Sequence, residues 1–216
     1  MKHSDVFLSS KTPVIIGILR GFESEAIENI ATCYSRAGFS FLEITLNSPG
    51  ALETIAGLGK TSGLTIGAGT VCNTDDLEQA LAAGAQFIVS PVLDEAVISE
   101  CVNLGVPVFP GAFTPTEIYR AWALGATMVK VFPAGVLGPG YIKEVLAPLQ
   151  QIALLPTGGI NLTNMEAFIR AGARGFGMGS HLFPKNLIEA KNWDALYEYM
   201  LVFKENGYAL SSKSID

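Results

Sequence analysis

The sequence predicts an α/β protein of eight strand–helix units, a (β/α)8 TIM barrel forming a single domain over residues 1–216, with a short N-terminal lead-in and a C-terminal helix. Three observations predict it. A phrase recurs in which a helical pattern closes, the chain turns at a glycine and an apolar run opens, as in 36–46, 82–90, 103–109, 123–132 and 170–180. The turn glycines Gly38, Gly63, Gly84, Gly105, Gly125 and Gly172 are 25, 21, 21, 20 and 47 residues apart, the last interval being two units. Finally, 49% of the 216 residues are hydrophobic and only 16% are charged, enough apolar surface for one large core.

The strands fall at 13–19, 39–46, 64–68, 86–90, 106–110, 127–132, 152–156 and 174–179. Each is a short apolar run after a glycine, as expected of a parallel strand buried on both faces behind a left-handed helix cap. Helical patterns lie between them near 23–37, 50–60, 74–83, 94–103, 115–124, 139–148 and 163–171, with a last helix near 192–206. Periodicity alone also permits a doubly wound open sheet. No linker or low-complexity segment divides the chain, and residues 1–12 form a lead-in placed to cover one end of the barrel.

Composition narrows the function classes. A compact chain of this size buries roughly 70–75% of its unfolded surface, so neither disulfides nor a structural metal is needed to hold it. The low charge fraction leaves apolar surface for an oligomer contact. A net charge of −6 and a pI near 5.0 argue against nucleic acid or an anionic membrane as partner, but not against a small anionic ligand held by local cations and amides. Cys33, Cys72 and Cys101 are scattered and odd in number, which fits a reduced, cytoplasmic setting. The N-terminus lacks a signal-peptide pattern, and no window reaches the roughly 20 apolar residues of a membrane span.

Two predicted strands carry an interior charge. Glu43 lies in Phe39-Ser-Phe-Leu-Glu-Ile-Thr-Leu46 and Lys130 in Thr127-Met-Val-Lys-Val-Phe132. Side chains alternate, so Leu42, Ile44, Val129 and Val131 pack outward on helices while Glu43 and Lys130 point inward. An ionised group there is expensive unless paired or neutralised. One reading is a structural Glu43–Lys130 ion pair. The other is chemistry: a desolvated lysine has a lowered pKa, its neutral amine attacks a carbonyl, and a nearby carboxylate moves the protons.

The loops after the seventh and eighth strands read Pro156-Thr-Gly-Gly-Ile160 and Gly177-Met-Gly-Ser180. Adjacent glycines let backbone amides approach an anion, a following helix adds its dipole, and these two loops hold phosphate in many barrels. Arg20, at the end of the first strand, is placed for a carboxylate or phosphate, or for a loop salt bridge. Thr70, Pro91 and Gly111 end the third, fourth and fifth strands with small or rigid residues at the mouth. His3 and His181 have no metal-site spacing, and His181 is assigned a plain loop role. Trp122, Trp193 and the tyrosines of the last helix are packing residues.

The stretches Ile18-Leu-Arg-Gly21, Leu42-Glu-Ile-Thr-Leu-Asn-Ser-Pro49, Ile66-Gly-Ala-Gly-Thr-Val71, Ile88-Val-Ser-Pro91, Phe109-Pro-Gly111, Val129-Lys-Val-Phe-Pro-Ala134, Pro156-Thr-Gly-Gly159 and Gly177-Met-Gly-Ser180 occur in order. Together they resemble the 2-keto-3-deoxy-6-phosphogluconate (KDPG) aldolase family, which includes phosphogalactonate and 4-hydroxy-2-oxoglutarate aldolases. The resemblance implies a (β/α)8 barrel, a homotrimer, and class I aldol cleavage without metal or other cofactor. It makes Lys130 the Schiff-base lysine and Glu43 the acid/base. Arg20, Thr70, Pro91 and Phe132 surround the keto acid, Thr157 sits beside the sugar chain, and Gly158, Gly159, Gly179 and Ser180 hold the phosphate.

The implied substrate is a phosphorylated 2-keto-3-deoxy sugar acid, cleaved to pyruvate and glyceraldehyde 3-phosphate. Asn47 resembles the galactonate-type members, whereas Thr157 resembles the gluconate type. Two rivals differ in class: an isomerase or synthase that uses Lys130 only as a cation, and a catalytically silent barrel that binds a phosphorylated ligand. Trapping of a Schiff base separates the aldolase from both.

Overall fold

The computed structural model describes Phe7, residues 12–59 and residues 63–212, with side chains through residue 205. Of the predicted lead-in, Phe7 and Thr12 alone lie within the described residues. The order is β1 (Val14–Leu19), α1 (Ser24–Arg36), β2 (Phe41–Thr45), α2 (Ala51–Leu58), β3 (Thr65–Gly69), α3 (Thr74–Ala82), β4 (Ile88–Val89) and α4 (Glu95–Leu104). Then follow β5 (Val108–Phe109), β6 (Gly111–Ala112), α5 (Pro115–Ala123), β7 (Val129–Val131), α6 (Ala134–Leu146), β8 (Leu154–Pro156), α7 (Met165–Arg170), β9 (Gly175–Met178), α8 (Lys185–Glu189) and α9 (Trp193–Ser212).

Helices α3, α4 and α5 start where a side chain satisfies a free N–H group of the first turn. Asn73 accepts from the Asp76 amide at 2.8 Å and Asp94 from the Val97 amide at 2.9 Å. Thr114 and Glu117 form a reciprocal capping box, with Pro115 in the first turn. Gly105 closes α4 in the left-handed conformation, φ 69°, which a side chain would oppose.

All strand pairs are parallel. The ladders form a six-stranded sheet, β5-β4-β3-β2-β1-β9, which makes a half-barrel, and a three-stranded sheet, β6-β7-β8. At one seam Thr157 and Gly177 make an isolated parallel bridge and the Arg174 amide donates to the Leu154 carbonyl at 2.9 Å. At the other, the Thr127 amide donates to the Val108 carbonyl at 2.9 Å, and the Lys130 amide to the Pro110 carbonyl at 2.9 Å.

Every predicted strand is present, most of them shorter than the apolar run; β3 keeps its predicted length one residue later, and pairing at the fifth continues past its run to Ala112. The fifth is divided because Pro110, which has no N–H to give a ladder, separates β5 from β6. Two helical expectations are corrected. The sixth helix begins at Ala134 rather than near 139, with its regular path broken at Gly138 (φ 72°, ψ 171°) just before Pro139. The short α8 was not anticipated.

Two apolar clusters hold the fold. In the larger, Leu42, Ile44, Val129 and Val131 pack against helix residues such as Ile30, Tyr34 and Ile142. The smaller, apart from Phe7, draws on residues in and beside the strands: Val14, Ile16, Phe87, Val89, Phe109, Met128, Ala153 and Leu155, with Phe41 against them. Phe7 caps it, its ring centroid 4.2 Å from Phe41 and 5.0 Å from Phe109. Tyr34 ties α1 to the sheet: its hydroxyl accepts from the Gly17 amide at 2.9 Å and donates to the Phe41 carbonyl at 2.9 Å. Burial raises that hydroxyl's pKa well above its ordinary value.

Candidate active site

The strand alternation that sends Leu42 and Ile44 to the helices leaves Glu43 and Thr45 on the opposite face of β2. On β7 the same rule separates Lys130 from Val129 and Val131. Glu43 and Lys130 meet on a cavity of about 260 Å³ at the C-terminal ends of the strands. They are 2% and 6% exposed, values that only a paired or functional charge ordinarily shows.

Glycines make room for Glu43 and for the walls around the pair. Gly69 lies one strand away from Glu43, and a methyl group there would collide with the Glu43 Oε1 atom. Gly111 is in register with Lys130, and a side chain there would strike the Pro91 carbonyl. Thr157 stands over Gly177 in the same way. Thr70 ends β3 at φ 61°, a left-handed conformation that costs a β-branched residue roughly 1–3 kcal/mol. Such strain persists where the surroundings impose it.

The electrostatics run opposite ways for the central pair. Burial pushes the Glu43 carboxyl above its ordinary pKa, partly offset by the positive charges of Lys130 and Arg20. Burial pushes the Lys130 amine below its ordinary value, opposed by Glu43 and reinforced by Arg20. None of the ion pairs among the described residues joins the two, and neither side chain has a hydrogen-bond partner in the described protein. The structural ion pair is therefore not formed. Lys130 Nζ lies 5.2 Å from the centroid of the Phe132 ring.

The same cavity gathers every residue to which the family resemblance assigned a catalytic, substrate-binding or phosphate-binding role: Arg20, Glu43, Thr70, Pro91, Lys130, Phe132, Thr157, Gly158, Gly159, Gly179 and Ser180. Gly158 and Gly159 adopt φ 87° and 77°, which requires glycine. The helix after them, α7, has six residues, so the loop amides carry most of any anion attraction there. Asn47 is exposed on the turn after β2 and does not line the cavity.

His181 and Lys185 also line it, although the sequence reading gave His181 a plain loop role and passed over Lys185. The only available signal was their closeness to Gly179-Ser180. A larger cleft of about 430 Å³ includes Thr12, Val14, Phe39, Phe41 and Thr65. Among the described residues its one charged lining residue is Lys204, whose amine donates to the Gly38 carbonyl at 2.5 Å. Among the described residues, no helix is long and apolar enough to cross a membrane.

The chain is similar to known proteins in sequence and in fold. The family model for KDPG and KHG aldolase matches residues 8–199. The probable 2-dehydro-3-deoxy-6-phosphogalactonate aldolase of Rhizobium meliloti is 38% identical over 176 residues, 80% of this chain and 83% of that protein. The 2-dehydro-3-deoxy-phosphogluconate aldolase of Treponema pallidum is 38% identical over 142 residues, 65% of this chain and 68% of that one. A solved KDPG aldolase from Legionella pneumophila, with pyruvate captured at low pH as a covalent carbinolamine intermediate, superposes with a TM-score of 0.84. It is 28% identical and the match covers 94% of this chain and 98% of that one. Because the match runs from before β1 into α9 and spans every strand that lines the cavity, this chain belongs to the KDPG and KHG aldolase family.

Proposed function

We propose that the chain is a class I aldolase that reversibly cleaves 2-dehydro-3-deoxy-6-phosphogluconate to pyruvate and D-glyceraldehyde 3-phosphate. The observation that carries this reading is the buried Lys130 amine beside Glu43 in one cavity, without an ion pair between them. Desolvation lowers the pKa of the amine and so favours the neutral form that a nucleophile needs.

In this mechanism Lys130 Nζ attacks the keto carbon, C2, and forms a carbinolamine. Glu43 transfers protons through a water as hydroxide leaves as water and the iminium forms. The carboxylate then takes the proton of the C4 hydroxyl, the C3–C4 bond breaks, and its electron pair moves into the iminium to give an enamine. Glyceraldehyde 3-phosphate departs. Protonation of the enamine at C3 and hydrolysis release pyruvate and the free amine. Arg20 and Thr70 hold the carboxylate end, with Pro91 and Phe132 as walls. The amides of Gly158, Gly159, Gly179 and Ser180 hold the phosphate, fixing the bond to be broken.

The gluconate epimer is favoured because Thr157 lines the cavity whereas Asn47 stands outside it. The second reading, the phosphogalactonate epimer, is favoured by the 38% identity over 80% of the chain with the Rhizobium meliloti protein. Comparing kcat/KM on the two epimers decides between them.

The two sheets are, in this reading, arcs of one closed (β/α)8 barrel within a single domain over residues 1–216. Hydrogen bonds at both seams support that closure. A homotrimer, implied by the family resemblance, would cover apolar surface such as Val136, Tyr119 and Phe113. Three unpaired cysteines fit a cytoplasmic setting.

The test is incubation with pyruvate and borohydride followed by peptide mass measurement. A single reduced pyruvyl adduct on Lys130, absent from Lys130→Met, is expected. A folded native chain that forms no adduct would overturn the covalent mechanism and favour a phosphate-binding barrel with non-covalent chemistry.

A further inference from the structure

Arg20 is an exposed cation in the loop after β1, and among the described residues it forms no ion pair. A long side chain in such a position ordinarily samples many rotamers, and ordering it against a ligand costs free energy. The backbone on either side of it is nevertheless fixed. The Gly21 amide donates to Ser48 Oγ at 2.8 Å. Ser48 Oγ lies 2.9 Å from Thr45 Oγ1, which donates to the Leu19 carbonyl at 3.3 Å.

The proton directions follow from these ends. Thr45 spends its only hydroxyl proton on Leu19, so Ser48 donates to Thr45 and accepts from Gly21. The result is one chain of three hydrogen bonds running from the residue after Arg20 to the residue before it. Both hydroxyls are buried, 3% exposed for Thr45 and 6% for Ser48. Their turn is itself anchored, since the Ser48 amide donates to the Thr45 carbonyl at 2.9 Å and the Leu46 amide to the Gly69 carbonyl at 2.8 Å. Gly21 completes the clamp at φ 72°, a conformation that other residues resist.

We propose that Thr45 and Ser48 are positioning residues that hold the Arg20 loop so that its guanidinium faces the carboxylate of the bound keto acid. This rests on the aldolase reading above. Arg20 lines the same cavity as Glu43 and Lys130, so its guanidinium is within the space that the keto carbon and its neighbouring carboxylate would occupy. The clamp couples β1 and β2 through side chains, so the loop carrying Arg20 moves with the strand carrying Glu43.

The experiment measures the pyruvate concentration that half-saturates borohydride trapping on Lys130, with melting temperature recorded alongside. Ser48→Ala is expected to raise that concentration about tenfold, and Ser48→Thr, which restores the hydroxyl, to return it within about twofold of native. On an Arg20→Met background Ser48→Ala should change nothing further, because the clamp acts through Arg20. If Ser48→Ala does not fold, Thr45→Val removes a hydroxyl at nearly constant volume and should give the same shift with the same dependence on Arg20. Unchanged half-saturation in the clamp variants, or an equal shift with and without Arg20, overturns the clamp while leaving the aldolase intact. No adduct on the native chain overturns the aldolase reading and the clamp with it.

Discussion

The two ends of the strand-lined core are built by the same device and put to opposite uses. In β3, Gly67 gives space to the Phe87 ring, and two residues later Gly69 gives space to the Glu43 carboxylate. On the Gly67 side, Phe7, Phe87 and Phe109 pack with centroids 5.0–5.9 Å apart, an apolar layer worth roughly 1.5–3 kcal/mol for each fully buried ring. On the Gly69 side the occupants are Glu43, Lys130 and Thr157, all buried, and two of them ionisable. Desolvating each charge costs several kcal/mol, and no direct ion pair offsets it here. One end therefore stabilises the chain so that the other can hold groups that destabilise it.

Exchange of roles is the sharpest way to break this comparison. Glu43→Gln keeps size and polarity but removes the proton carrier, so turnover should fall by about 10²–10⁴-fold. The melting temperature should stay at or above the native value, since a buried carboxylate is replaced by a neutral group. Near-native turnover, or a large loss of stability, would show that Glu43 belongs to the structural end. Phe87→Ala is the converse. Loss of a fully buried ring should cost about 3–5 kcal/mol in denaturant unfolding, while kcat of the folded fraction stays close to native. A fall in kcat without a loss of stability would mean that the two ends are not separable.

The sequence displayed the two ends unequally. The repeat of turn glycines revealed the strand–helix alternation because each helix must end in a conformation that a side chain resists, and this leaves a mark at one position. The charges of Glu43 and Lys130 were legible because they interrupt apolar strands. That the lead-in covers one end was expected and Phe7 does so, but which of its residues makes the contact was not legible, since Val6-Phe7-Leu8 is too short to show a periodicity. The short α8 and the start of α6 escaped for a related reason: five residues make less than two turns, and the residues before Gly138 read as a loop. His181 and Lys185 reach the cavity from exposed positions, one in a turn and one at the start of α8, where polar residues are expected whether or not they touch a ligand. The Thr45–Ser48 hydroxyls were quoted within a motif, yet their link to both flanks of Arg20 depends on the register of β1 with β2, which spacing does not encode.

The smallest effect is a pH dependence that separates the contributions of the functional end from those of the apolar end. Burial depresses the Lys130 pKa below the ordinary lysine value of 10.5, so between the folded value and 10.5 the unfolded chain holds a proton that the folded chain lacks. Stability contributed by this group therefore rises with pH through that window. Glu43 is raised above 4.5, so from 4.5 up to its folded value the folded chain holds the extra proton, and stability falls as pH rises. Lys130→Met removes only the first dependence directly. The variant should melt above the native chain at neutral pH, with the advantage shrinking as pH approaches 10.5, where the lysine is losing its proton in either state. Phe87→Ala should shift the whole profile downward without changing that slope. A constant difference between native and Lys130→Met across the alkaline range would mean that the amine keeps its ordinary pKa in the fold, and the neutral nucleophile at Lys130 would lose its physical basis.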